Sequence, residues 1–231
     1  AMFSAVGITC LSLDIDLKII LAGVLLGGLI GSLIAIKVKM TAIPEMVALF
    51  NGFGGLATFL IAWSQFNEPA NSMFQHVLIM LTIYIGGITF SGSLIAYGKL
   101  SEKLKLGKGS MITNIFISFF YLSMPALIYA VAEPSLSGLI PQLPSYFSVF
   151  LVLTLVAGIG FVMPIGGGDM PVVISLLNSL SGIAAAFAGL LLLNNVLIVA
   201  GSLVGASGLI LTVIMAKAMN RTIGNILFVG Y

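Results

Sequence analysis

Pro164-Ile-Gly-Gly-Gly-Asp-Met-Pro171, continued by Val-Val-Ile-Ser-Leu-Leu-Asn-Ser-Leu-Ser-Gly182, is the stretch whose reading decides the fold. Three glycines and two prolines bracket Asp169, an acid in a chain that is only 7% charged. Glycines admit backbone angles closed to other residues, which suits a tight connection between two apolar helices. Pro171 fits the first turn of the following helix, where its missing N–H is not needed. Asp169 then stands at the positive end of that helix dipole. Nine residues on, Asn178 falls ~13.5 Å deeper, near the middle of a hydrocarbon layer ~30 Å thick. A charge at the mouth and an amide at the centre of one helix predict a functional element.

Composition widens this to the whole chain. Of 231 residues 60% are hydrophobic and the mean hydropathy is +1.23. Soluble domains carry about 25% charged residues, so the expected class is an all-α, polytopic transmembrane helix bundle forming a single membrane domain over 1–231. The net charge of +2 is spread between apolar runs and forms no nucleic-acid patch. One cysteine, Cys10, excludes an intrachain disulfide, and no metal site is expected.

Seven full spans are predicted, at about 17–38, 44–65, 76–98, 111–132, 145–164, 170–193 and 196–217, with a partial helix at 1–13. Thr41 is a candidate N-cap for the second span. With alternating spans, Lys37, Lys39, Lys99, Lys103, Lys105, Lys108, Lys217 and Arg221 share one side and Lys18 takes the other. The basic side faces inward, which places Asp169 within reach of Lys217 or Arg221 and puts the C-terminus inside.

Between their ends the spans contain no Asp, Glu, Lys, Arg or His. A charge at a helix centre costs at least ~2.5–3.5 kcal/mol and is kept for function, so a pump with its own buried titratable group is disfavoured. The polar inventory is neutral. Ser175, Asn178, Ser181, Gly182, Ala185, Ala186 and Gly189 recur at three- and four-residue steps and are expected on one face. Gly201, Gly205, Gly208 and Thr212, with Ser207 beside them, do the same on the last span, as do Asn51, Gly55 and Thr58 on the second. Small residues of this kind serve close helix packing. An amide in hydrocarbon needs a hydrogen bond, which another helix or a file of water supplies equally well.

The runs Met40-Thr-Ala-Ile-Pro44-Glu-Met-Val-Ala48, Gly86-Gly-Ile-Thr-Phe-Ser-Gly-Ser-Leu-Ile-Ala-Tyr-Gly98-Lys-Leu, Gly166-Gly-Gly-Asp169-Met-Pro-Val-Val, Leu177-Asn178-Ser-Leu-Ser-Gly182, Leu197-Ile-Val-Ala-Gly201-Ser-Leu-Val-Gly205-Ala-Ser-Gly208 and Ala218-Met-Asn-Arg221 resemble the membrane domain of proton-translocating nicotinamide nucleotide transhydrogenase. The likeness covers nearly everything from residue 17 onward. It implies the beta subunit's membrane part, or its counterpart in a fused chain, in a bacterial or mitochondrial inner membrane. It implies an enzyme in which proton passage drives hydride transfer between NAD(H) and NADP(H) on attached soluble domains. An NADP-binding domain is expected after Tyr231, and companion alpha-subunit helices, a homodimeric complex and surrounding lipid complete the expected partners. No cofactor is expected on this segment, since Gly158-Ile-Gly160 lies inside a span with no strand before it.

The midplane polar and small residues of the 44–65, 170–193 and 196–217 spans predict a proton path between them through Asn51, Asn178, Ser175, Ser181, Ser207 and Thr212. The resemblance implies that Asn178 matches a channel asparagine, Asp169 a residue at the inner mouth that couples to the NADP domain, and Gly205–Gly208 a functionally sensitive stretch. Gly201, Gly205 and Gly208 are expected to serve packing or gating, and Lys217 and Arg221, on the same side as Asp169, to share in the coupling. Many members carry histidine where this chain has Asn51, and in some the histidine lies on the companion subunit, as expected here. A secondary transporter of a small neutral solute would show an inverted repeat, which is not found. A non-conducting scaffold would tolerate Asn178→Leu.

Overall fold

The computed structural model describes residues 17–66, 73–104 and 143–228. Every regular element among them is helical: α1 (Leu17–Lys37), α2 (Ile43–Phe66), α3 (Met73–Leu100), α4 (Leu143–Val162), α5 (Met170–Leu191), α6 (Asn195–Ala218) and the short α7 (Ile223–Phe228). Five segments among the described residues are long and apolar enough to cross a membrane: Lys18–Lys37, Met40–Phe66, Phe74–Leu100, Gly167–Leu191 and Asn195–Ala218. The 20-residue α4 is a further apolar helix, ~30 Å long at 1.5 Å per residue. The expected partial helix at 1–13 and the expected span at 111–132 lie outside the described residues, so the count of seven is not reached within them.

The chain divides into two units, Ala1–Ile43 and Pro44–Tyr231. The first contains α1, an apolar helix closed by Lys37 in its last turn. Thr41 lies inside a single 3-10 turn, Met40–Ala42, and no side-chain cap opens that turn. The chain passes from this turn directly into α2, with Pro44 at its second position.

In the second unit the apolar side chains form separate clusters. One gathers Ala48, Ala96, Val162, Met170, Leu177 and Ile226 around the start of α2 and α5 and the ends of α3 and α4. Another gathers Phe59, Ala62, Ile79, Ile83 and Leu191 at the other end of the bundle. The turn carrying Asp169 and the C-terminal α7 therefore belong to one and the same end.

The α5–α6 pair is the tightest seam. A Cβ placed on Gly182 would run into the Gly205 backbone N, and one on Gly208 would lie 2.9 Å from Ser179 Cα. Two main chains can approach so closely only where side chains are missing. The hydroxyls between them are satisfied in the seam: Ser179 donates to Gly205 O across it (2.6 Å), and Thr212 shares its one proton between Gly208 O of its own helix (2.7 Å) and Ser175 Oγ across it (3.1 Å). Gly182→Val is expected to force the two backbones apart, lowering stability by ~1–3 kcal/mol or more. The thermal midpoint of the purified protein checks this against Ala206→Val, whose position on α6 is exposed; equal midpoints would refute it.

Candidate functional site

Asn51 lies eight residues into α2, about 12 Å from its start. Its amide bridges two other helices. Nδ2 donates to Ser93 Oγ of α3 (2.9 Å), and Oδ1 accepts from Ser181 Oγ of α5 (2.8 Å). A neutral amide donates through its nitrogen and accepts through its oxygen. Ser181 also donates to Leu177 O of its own helix (3.2 Å). The three side chains thus form an uncharged hydrogen-bonded chain that ties α2, α3 and α5 in the bundle interior. Close approach permits it: a Cβ on Gly52 would stand 3.1 Å from Ser93 Cβ.

Ser93 is the member that sequence reading did not single out. Its signal is a stripe on α3, Thr82, Gly86, Thr89 and Ser93, spaced by four, three and four residues on one face. Nothing in that stripe names the partner helix, which is why the sequence left it silent.

The expected single polar face of α5 is divided in the structure. Ser175 turns to α6 and takes Thr212, Ser181 turns to α2, and Asn178 between them is exposed on the bundle surface. The reason is helical geometry: residues three apart differ by about 60° in azimuth, so 175 and 181 differ by about 120°. Ser207 is likewise exposed and donates only to Val204 O of its own turn (3.2 Å). The cluster therefore joins α2, α3 and α5 rather than α2, α5 and α6, and α6 is closed against α5 by Gly201, Gly205 and Gly208.

At the basic end two connections hold the turn before α5. Lys99 Nζ donates to the backbone carbonyls of Val162 (3.2 Å), Met163 and Ile165 (2.7 Å). These are carbonyls left over where α4 stops, and a cation there also suits the negative end of the helix dipole. A lysine that reads as part of a loop in the sequence is thus the clamp of the α4 terminus.

Beyond it the chain makes a 3-10 turn, Gly167–Asp169, and α5 begins at Met170. Asp169 occupies the N-cap position, yet its side chain makes no cap hydrogen bond. Its Oδ2 accepts instead from Arg221 Nη1 at 2.9 Å, with Asp169 14% and Arg221 36% exposed. Of the two basic candidates it is Arg221 that pairs, while Lys217 is exposed on α6. Backbone geometry makes the choice. Asn220 has φ 53°, the left-handed conformation that asparagine tolerates. Arg221 N then donates back to Ala216 O (2.9 Å) and Asn220 N to Lys217 O (2.9 Å), which turns the chain toward Asp169. Ile226 of α7 completes the connection by burying itself against the apolar cluster that contains Met170 and Ala216.

Among the described residues no group of three His, Cys, Asp or Glu is placed to hold a metal ion. Apolar helices around a neutral hydrogen-bonded chain, with an ion pair at one end, define a multi-pass helical membrane protein. The chain belongs to the NAD(P) transhydrogenase beta subunit family, whose sequence model matches residues 1–231. The NAD(P) transhydrogenase subunit beta of Rhodospirillum rubrum is 39% identical over 211 residues, spanning 87% of this chain and 44% of its own length. The same-named protein of a defined strain of that species matches with the same figures. The chain thus spans less than half the length of these relatives.

Proposed function

We propose that this chain is the proton-translocating membrane domain of a transhydrogenase beta subunit. In this reading, proton passage through the bundle is coupled to hydride transfer between NAD(H) and NADP(H) on soluble domains, one of which follows the C-terminus on the inner side. The observation that carries the reading is the Asn51–Ser93–Ser181 chain, which links side chains of three helices inside a bundle of this family.

The chemistry follows from the donors. Asn51 does not titrate near neutral pH, so it orients neighbouring hydroxyls and water and does not store the proton. Each serine hydroxyl takes up a proton on its oxygen as it releases its own to neighbouring water, ending as it began. The group that holds the proton is then a histidine of the companion alpha subunit. Asn178 supports a companion helix at this place. An amide facing hydrocarbon without a partner costs several kcal/mol, about 2–7 by reference state, and Asn178 is exposed on α5 one turn from Ser181. NAD and NADP bind the soluble domains, and two copies of the complex associate in the inner membrane.

The test uses the complete beta subunit with its companion in sealed vesicles. A pH-sensitive dye follows proton movement while nicotinamide exchange is read by absorbance. The unaltered protein is expected to link the two; exchange without proton movement would refute the proposal. Asn178→Leu is expected to lower linked exchange about tenfold, the equivalent of ~1.4 kcal/mol or one good hydrogen bond. Unchanged linkage in that variant would remove Asn178 from the path.

A further inference from the structure

Most buried hydroxyls on these helices donate to a backbone carbonyl, of their own helix or of the one packed against it. Thr58 donates to Gly55 O (2.9 Å), Thr82 to Leu78 O (2.7 Å), Ser91 to Gly87 O (2.9 Å) and Thr154 to Leu151 O (2.8 Å). That is the ordinary resource of a helical serine or threonine. Thr89 departs from the pattern: it is fully buried, and its Oγ1 has no hydrogen-bond partner among the described residues.

Its position is not arbitrary. Thr89 precedes Ser93 by one turn on the same face of α3, ~6 Å along the axis. On the facing helix, Gly55 follows Asn51 by the same four residues. A Cβ on Gly55 would stand 2.9 Å from Thr89 Cβ. Asn51–Ser93 and Gly55–Thr89 are therefore successive layers of one α2–α3 seam, the second lying farther from the Asp169 end. A buried hydroxyl left unpaired costs ~1–3 kcal/mol, and valine would fill the same shape without that cost.

Resting on the function proposed above, we propose that Thr89 is the next relay hydroxyl beyond Ser93, the group through which water delivers a proton to the Asn51 cluster. Its oxygen takes up a proton from an incoming protonated water as it releases its own to a second water on the Ser93 side, so that the side chain is unchanged after each passage. A hydroxyl with no bond to a carbonyl of the described residues suits such a station, because one committed to a helix carbonyl must first break that bond.

The experiment compares Thr89→Val and Thr89→Ser in the complete complex in vesicles, with proton movement and thermal midpoint both measured. Thr89→Val is expected to slow proton movement at least tenfold while its midpoint equals or exceeds that of the unaltered protein. Thr89→Ser, which restores the hydroxyl, is expected to stay within threefold in rate. Proton movement within twofold in Thr89→Val overturns the inference, and equal losses in Val and Ser variants overturn it in favour of packing. Should Thr89→Val fail to assemble, Thr89→Ala is compared with Thr89→Ser, and equal rates there again overturn it. A complex that moves no protons in its unaltered form overturns the function itself, a result distinct from all of these.

Discussion

Asn51→Leu is expected to reduce proton-linked nicotinamide exchange by about 30–100-fold while leaving the complex assembled. Leucine keeps the branching of asparagine at Cγ, although it is larger, and suits a membrane helix, so folding survives. What disappears is the donor to Ser93 and the acceptor from Ser181. Two hydrogen bonds at ~1 kcal/mol each, with one hydroxyl left short of a partner, amount to ~2–3 kcal/mol on the barrier. Ser181 keeps its bond to Leu177 O, so Ser93 carries most of the deficit. The measurement is dye-reported proton uptake per exchange event in vesicles, with assembly checked by size-exclusion chromatography. A second arm exploits the shared network: Ser93→Ala added to Asn51→Leu should cost far less than Ser93→Ala alone, because residues of one hydrogen-bonded unit are non-additive. Exchange within twofold of the unaltered protein in Asn51→Leu would place the path elsewhere.

The location of the Asn51 cluster also shows where sequence reading stops. Span positions are legible because apolar runs are long and are interrupted by lysines, glycines and prolines: α1, α2, α3, α5 and α6 start and end within a few residues of expectation. The close seam between α5 and α6 is legible too, since small residues at four-residue steps leave little else for those faces to do. What is not legible is azimuth over more than one turn. Stepping by threes carries a stripe around the helix, so Ser175, Asn178 and Ser181 meet three different surroundings. Nor does a one-dimensional pattern state which helix lies opposite. Asn51 and Ser93 are 42 residues apart, Asn51 and Ser181 130 apart, and only packing brings them together. The choice of Arg221 over Lys217 turns on the left-handed Asn220, a backbone detail that composition leaves open.

Asp169→Asn is expected to separate charge from shape at the turn. Because the Asp169 side chain makes no cap bond to α5, the substitution leaves the helix start undisturbed, and Pro171 still occupies its first turn. Asparagine can still accept from Arg221, but as a neutral group. Arg221 stays charged, so a hydrogen bond persists and what is lost is the charge–charge attraction of a partly buried pair, ~1–2 kcal/mol, between the values for exposed and buried pairs. That alters the balance between a tied and a released Arg221 by roughly 5–30-fold. Arg221 leads directly into α7, whose Ile226 is buried beside Met170 at the start of α5, so the balance is transmitted to the C-terminal segment. In the proposed complex that segment leads to the NADP domain, and proton passage supplies ~2.3 kcal/mol per 100 mV, enough to drive a contact of this size in either direction. The expected result is normal expression and an unchanged thermal midpoint within a degree or two, with proton-linked release of NADP(H) slowed about tenfold. Arg221→Gln should reproduce the defect, and Asp169→Asn with Arg221→Gln should be little worse than either alone. Normal linked release in Asp169→Asn would make the ion pair dispensable and leave the clamp of Lys99 on the α4 terminus as the remaining structural tie at this end.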